Sequence, residues 1–214
     1  MGNISAYRAG VALIAGLCAS VLLTPLNSWC QGVNPSVEDP EEYSVYSAIL
    51  SSEFSSGKVK RFVINSQTSN EGKKDQPFIG FVGGLAPSGA KRPDTKSETA
   101  SDFDVKNRES GMLERKFDLK SLYVLTTNDE LHRIFVVDGQ GHADFDSWAR
   151  FYKNYPGAPG IIAFSRVGFD RTRDEALVYM AVQSGLLGGR GMYLVLSKGG
   201  NTWKIEKRVI LWFS

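Results

Sequence analysis

The densest set of side chains that could do chemistry is DGQGHADFD, Asp138–Asp146. Asp138, His142, Asp144 and Asp146 offer oxygen and imidazole donors close together, as a cation site requires. Laid on a calcium-binding helix–loop–helix, the stretch fails twice. Ala143 stands where that loop needs glycine, and Ala149 where it needs a bidentate glutamate. These four residues are therefore weak metal candidates, and the plainer reading is a solvated turn in which Asp144 caps a helix. No metal and no other cofactor is expected.

Two glycine-rich stretches invite a phosphate. In GLAPSGAK, Gly84–Lys91, Ala90 separates the second glycine from the lysine, and Arg92 and Pro93 follow where a serine or threonine belongs. GLLGGRG, Gly185–Gly191, lies between two strand-like runs and opens no helix, so it reads as a hairpin turn. The chain has two histidines, His132 and His142, and His132 sits among charged neighbours as a surface residue would. No GxSxG or HExxH pattern occurs, so no catalytic residue is assigned.

Arg166 is the remaining candidate. It interrupts GIIAFSRVGF, an otherwise apolar strand, where alternation places it with Ile162, Phe164 and Gly168 on one face. A half-buried guanidinium needs a carboxylate, a carbonyl or an aromatic ring. The hairpin that follows brings Val178 and Tyr179 roughly opposite, so Arg166 and Tyr179 form a weak candidate binding pair. The preferred alternative is a structural ion pair or stacking contact that fixes the strand to a helix.

The elements that must position these residues are legible in outline. DPEE, Asp39–Glu42, starts a helix with Asp39 as cap, Pro40 in the first turn and Glu42 three residues after the cap. Tyr43, Tyr46, Ile49, Leu50 and Phe54 then recur at helical spacing, and Gly57 ends the run. Lys58–Thr68 and Ser121–Thr127 read as strands. Between them Ser69–Lys96 is a long loop or insertion around the apolar island PFIGFVGGLA. Two capping boxes, Thr95–Glu98 and Thr127–Glu130, open helices over Ser97–Arg108 and through Leu131, Ile134 and Phe135. A further helix carries Phe145, Trp148, Phe151 and Tyr152 and stops at YPGAPG.

Four strands in series close the chain: GIIAFSRVGF, EALVYMAVQ, GMYLVLSK and TWKIEKRVILWFS. Their short turns predict an antiparallel meander. In the last strand alternation groups Trp203, Ile205, Val209, Leu211 and Phe213 on one face, and Lys204, Glu206 and Arg208 on the other. The expected fold is α+β: a four-stranded antiparallel meander packed against the N-terminal and central amphipathic helices, with one or two additional strands.

Residues 1–30 stand apart. Arg8 is followed by the uncharged apolar run Val11–Leu23, then by Pro25 and the small residues Ser28 and Cys30. The run is short of the ~20 residues of a membrane span, so it reads as an export signal cut before Gln31, with an uncleaved anchor as the alternative. No lipidation pattern fits, because Leu17 and Trp29 precede the cysteines and Ala6 stands where myristoylation wants serine or threonine. The mature chain, 31–214, is then a single extracytoplasmic domain without cysteine. Losing Arg8 lowers the formal charge from +2 to +1. That balance gives no case for nucleic acid, or for a membrane beyond transient contact through the signal.

EYSVYSAIL, FYKNYPGAPGIIAFSRVGF, ALVY and GRGMYLVLSK, with the closing Trp203 and Trp212, resemble a family of exported bacterial proteins. The similarity covers most of Glu41–Ser214 and is weakest over Ser69–Lys96. It implies export and a shared fold, and it brings no activity, cofactor or catalytic residue with it. The family's turn between the second and third closing strands carries a cysteine. Here SGLLGGR has none, so no thiol role follows. At fold level the leading helix and curved sheet are also similar to NTF2-like and cystatin-like domains, which host enzymes and binding modules alike.

The expectation is a non-enzymatic binding or interaction domain with a small ligand or a protein partner in the concavity of the sheet. The alternative is a carboxylate- or tyrosine-dependent hydrolase or isomerase using that same concavity. A third reading makes the FIGFVGGLA island a surface contact.

Overall fold

The structure, a computed structural model, describes residues 35–69, 92–135 and 145–214. In chain order the elements are α1 (Pro40–Glu53), β1 (Arg61–Asn65), α2 (Ser97–Lys106), β2 (Leu122–Thr126), α3 (Asn128–Phe135) and α4 (Phe145–Asn154). They are followed by β3 (Ile161–Phe164), β4 (Gly168–Phe169), β5 (Glu175–Gly185), β6 (Gly188–Gly199) and β7 (Thr202–Phe213). The strands form one mixed sheet in the order β2-β1-β3-β5-β6-β7, with β4 also paired to β5. The closing strands are the expected antiparallel meander. β1, by contrast, lies between β2 and β3 and runs parallel to both.

Helices cover both faces of the sheet, because its central strands are apolar on both sides. On one face α1 packs Tyr46, Ile49 and Leu50 against Ile162, Phe164, Val178 and Met180. On the other face α3 and α4 cover Val63 and Ile161 with Leu131, Phe135 and Phe151. There α2 also sets Phe103 against Leu177, Tyr179 and Tyr193. α1 is buried on more than the one face its spacing predicts, and Val45 and Ser47 are covered too. The connection that carries Leu113 and Phe117 runs over it. Glu114 N–H donates to the Tyr43 hydroxyl (2.7 Å), Asp118 N–H donates to Ser47 Oγ (3.0 Å), and the Phe117 ring meets Tyr43 edge-on.

Strict alternation fails at Ser184 near the end of β5 and, with more consequence for the two faces, after β3 and in β7, each time through an extra residue. Phe164 pairs with Met180 and Gly168 with Leu177, so Ser165, Arg166 and Val167 stand opposite only Val178 and Tyr179. This bulge ends β3 and re-phases the strand. As a result Gly168 no longer shares a face with Arg166, and it turns to α2, where an added Cβ would lie 2.5 Å from Phe103 N. β7 carries two such shifts, one at Glu206 and one at Leu211. Trp203 and Ile205 therefore belong to the α1 face, while Val209, Leu211 and Trp212 belong to the α2 face. The single apolar face expected for this strand is split in two.

The helix starts also sort themselves. Thr127 and Glu130 form the reciprocal capping box: Thr127 N–H donates to Glu130 Oε2 (2.8 Å) and Glu130 N–H to Thr127 Oγ1 (3.2 Å). Thr95 does not cap α2. Lys96 holds the cap position, and Glu175 of β5 accepts from Lys96 N–H and Thr99 Oγ1, both at 2.7 Å.

Candidate functional site

Arg166 faces α1 and meets Glu42. Its Nη2 lies 2.6 Å from Glu42 Oε1, and its Nε lies 3.1 and 3.0 Å from the two carboxylate oxygens. The Glu42 side chain is 0% exposed and that of Arg166 17%. Val167 N–H donates to Glu42 Oε2 (3.0 Å). The Tyr46 hydroxyl is within reach of the same oxygen (3.1 Å) and of the Ser165 carbonyl (2.9 Å). Asn107, just past α2, grips the Arg166 backbone from the other side by accepting its N–H (2.8 Å) and donating to its carbonyl (3.1 Å). Burial alone would lower the Arg166 pKa, but the Glu42 carboxylate outweighs it and raises it. Burial, reinforced by Glu42, pushes the Tyr46 phenol well up.

Tyr179 lies on the opposite sheet face, among Phe103 and Tyr193, where it accepts a hydrogen bond from Trp212 Nε1 (3.0 Å). The proposed stacking of Arg166 on Tyr179 is therefore replaced by the pair with Glu42. The bulge makes this inevitable, because it turns Arg166 and Val167 together toward α1.

The concave site lies elsewhere. A cleft of about 820 Å³ runs between one flank of α2 and the β4–β5 turn, with the N-terminal end of α1 at its margin. Phe169 forms its base. Lys106 Nζ sits 4.8 Å and the Arg173 guanidinium 5.0 Å from the ring centroid, so two cations share one aromatic face or edge region. Each cation has a carboxylate: Lys106 Nζ lies 2.8 Å from Asp102 Oδ2, and Arg173 Nη2 lies 2.6 Å from Asp39 Oδ2. Each carboxylate also holds backbone. Asp102 accepts Phe169 N–H (2.8 Å), and Asp39 caps α1 by accepting Glu41 N–H (3.0 Å). Arg171 and Glu98 pair across the mouth at 3.2 Å.

The turn is built by Asp170. Its carboxylate accepts from Lys96 Nζ (2.7 Å), Thr172 Oγ1 (2.6 Å) and the N–H groups of Asp174 (3.0 Å) and Glu175 (2.9 Å). Arg173 adopts a left-handed φ of 58°. That conformation costs a residue with a Cβ about 1–2 kcal/mol, and the bonds to Asp39 and the Asp170 carbonyl hold it there.

The titrating groups share a pattern. Burial would raise the Asp170 carboxyl, but Lys96, Thr172 and the backbone donors hold it well below the carboxylate range. Asp39 is likewise lowered, with Arg173 and the Glu41 N–H outweighing burial. Asp39 in turn raises Arg173, and Asp170 and Asp174 raise Lys96. Burial lifts the phenols of Tyr43 and Tyr152, and pushes Tyr179 up to about 12. Among the described residues every resolved shift moves away from neutrality.

The other sequence candidates do not join this cleft. Asp146 is exposed at the start of α4, and Asp138, His142 and Asp144 lie outside the described residues. Gly84–Lys91, the apolar island and the export segment 1–30 also lie outside them. His132 is exposed on α3, and GLLGGRG contains the turn joining β5 to β6. Among the described residues no group of three His, Cys, Asp or Glu is placed to hold a metal ion, and no helix is long and apolar enough to cross a membrane. No family model, curated protein or solved structure matches the chain.

The cleft residues Lys106, Phe169 and Arg173 carried no motif. The one signal was DRTRD, a tight polar turn whose aspartates can organise a left-handed residue.

Proposed function

We propose that the protein is an exported binding domain, with no bond-making chemistry of its own, that holds a polar, charge-bearing ligand between α2 and the β4–β5 turn. The observation that carries this reading is the ionisation of the cleft. A general acid or base works best with a pKa near the working pH. Asp39, Asp170 and Arg173 are displaced the other way, toward permanent charge. Among the described residues no tyrosine lines the cleft, and Tyr43, Tyr46 and Tyr179, which stand elsewhere, are displaced toward permanent protonation. This takes support from a carboxylate- or tyrosine-dependent hydrolase or isomerase. What remains is a mixed field of fixed charges over an aromatic base, which suits recognition by exchange of ion-pair partners. Export rests on the sequence pattern of residues 1–30.

The test is a nuclear magnetic resonance titration of the protein with a fragment set of amino acids, dipeptides and sugar acids. Expected are amide shifts confined to Ser101, Lys106, Phe169 and Arg173, which vanish in Arg173→Glu. Shifts mapping to another surface would overturn the cleft. Turnover of any fragment that is lost in Asp39→Asn would restore the enzyme. The N-terminal mass of the same protein, recovered after export, is expected to begin near Gln31, and an intact Met1 on membrane-held protein would replace export with anchoring.

A further inference from the structure

The geometry, taken with the reading of the α2 cleft as a binding site on which this inference rests, points to the class of its ligand: an α-amino acid zwitterion with an apolar side chain. Lys106 and Arg173 stand at the Phe169 ring, each with its own acid, and all five residues line the cleft. The two ion pairs are not separate. Lys106 Nζ lies 2.8 Å from Asp102 and Arg173 Nη2 lies 2.6 Å from Asp39. The Lys106 charge also reaches Asp39, and the Asp102 charge also reaches Arg173. Two acids and two bases thus form one set that is neutral as a whole. Arg171 and Glu98 at the mouth make a further neutral pair, and Asp170 is already taken up by its four donors.

A neutral set of alternating charges selects against a ligand of single charge. An anion that draws Arg173 away leaves Asp39, whose side chain is only 20% exposed, without its ion-pair partner. A cation that draws Asp102 away leaves Lys106 with the Val167 carbonyl alone. A covered charge without a counter-charge is costly. A zwitterion brings the replacement with it. Its carboxylate takes the Arg173 fork, its ammonium takes the vacated Asp39, and every charge keeps a partner. In an α-amino acid the two poles are on the order of 3 Å apart, the span of one hydrogen bond, and the ion pairs of the cleft have that same span. Arg173 is the member free to exchange, because about half of its side chain is in solvent. Val105 selects the rest of the ligand. Among the described residues, Phe169 and Val105 are the large apolar side chains of the lining, and Phe169 is nearly covered. Val105, one turn along α2 from Ser101, is 53% exposed and offers the surface on which an apolar side chain lies.

The test uses three molecules of one shape. Leucine carries both charges, 4-methylpentanoate lacks the ammonium and 3-methylbutylamine lacks the carboxylate. Each is titrated into the protein near neutral pH and read from the amides of Ser101, Lys106, Phe169 and Arg173. Leucine is expected to bind about tenfold more tightly than either analogue, the worth of one charged contact. Two variants then separate the poles. Asp39→Asn keeps an acceptor for the cap of α1 and removes the charge. It is expected to bind 4-methylpentanoate more tightly than the wild type does, and to lose the preference for leucine over that analogue. Arg173→Asn keeps a residue that tolerates the left-handed turn. It is expected to gain affinity for 3-methylbutylamine and to lose the corresponding preference. A loosened fold would give losses and not these gains. Analogues that match leucine at the wild-type cleft overturn the zwitterion and leave the cleft standing as a binding site, as does a sugar acid that shifts these amides where leucine does not. Variants that keep the wild-type order of preference also overturn it. Cleft amides unmoved by every fragment would remove this inference and the binding reading together.

Discussion

Removing the Arg166 guanidinium would leave the Glu42 carboxylate with no exposed surface and no counter-charge. Breaking one side of a buried pair costs about 3–5 kcal/mol, because the surviving charge stays desolvated. For a domain of this size Arg166→Ala should lower the melting temperature by roughly 10 °C, as read by circular dichroism. Arg166→Lys should recover only part, since an ammonium cannot offer Nε and Nη2 to both carboxylate oxygens. A variant that melted normally yet lost fragment binding would sink the structural reading. The need for a partner was legible in the strand: an arginine in GIIAFSRVGF must find an acceptor. Its identity was not. Glu42 stands three residues after Asp39 and reads as a capping-box acid, but its side chain turns away to a residue 124 positions distant. Local spacing cannot see that choice, which depends on where the bulge aims Arg166.

Between elements, α2 meets β4 at a close approach that side-chain choice controls. Gly168 leaves no room for a Cβ, which would come within 2.5 Å of Phe103 N and its Cβ. Gly168→Ala should therefore push α2 off the sheet. The expected loss is about 1–3 kcal/mol of overpacking strain, with a lower urea midpoint and faster proteolysis at α2. A midpoint equal to wild type would mean that α2 has slack. Element existence was largely readable, because capping residues, helical spacing and turn dipeptides act over a few positions. Thr127–Glu130 is an instance where the local rule held completely. The parallel placement of β1 between β2 and β3 was not readable, since no short turn joins those strands and their directions are set by packing across long connections. The split faces of β7 were missed for a related reason: a bulge inserts a residue without changing the composition that suggests a strand.

Across the whole molecule, acid stability should track the depressed carboxylates. Asp170, Asp39 and Glu114 all have folded pKa values below their unfolded ones, Glu114 through Lys116 and Ser36. Such groups contribute stability that is fully present above the unfolded value, about 3.9 for aspartate, and that is lost as pH falls through the folded value. Urea midpoints should hold near neutrality and drop below about pH 4. Asp170→Asn should be less stable at pH 7 and show a shallower acid limb. An acid limb unchanged by Asp170→Asn would show that the β4–β5 turn does not carry it.

The acids of α1 reach far along the chain. Glu42 pairs with Arg166, Asp39 with Arg173 and Glu53 with Arg190 and Arg208, while Glu41 accepts from Trp203 Nε1 across 162 residues. Every one of these partners is synthesised late, although the connection that covers α1 comes earlier. The β5–β6 and β6–β7 hairpins can form from neighbouring sequence, but the acids of α1 have no partners until the closing strands exist, and such distant contacts form slowly. The ribosome therefore releases α1 well before the partners of its acids. The ion pairs that fasten α1 to the sheet are complete only after β6 and β7 have emerged.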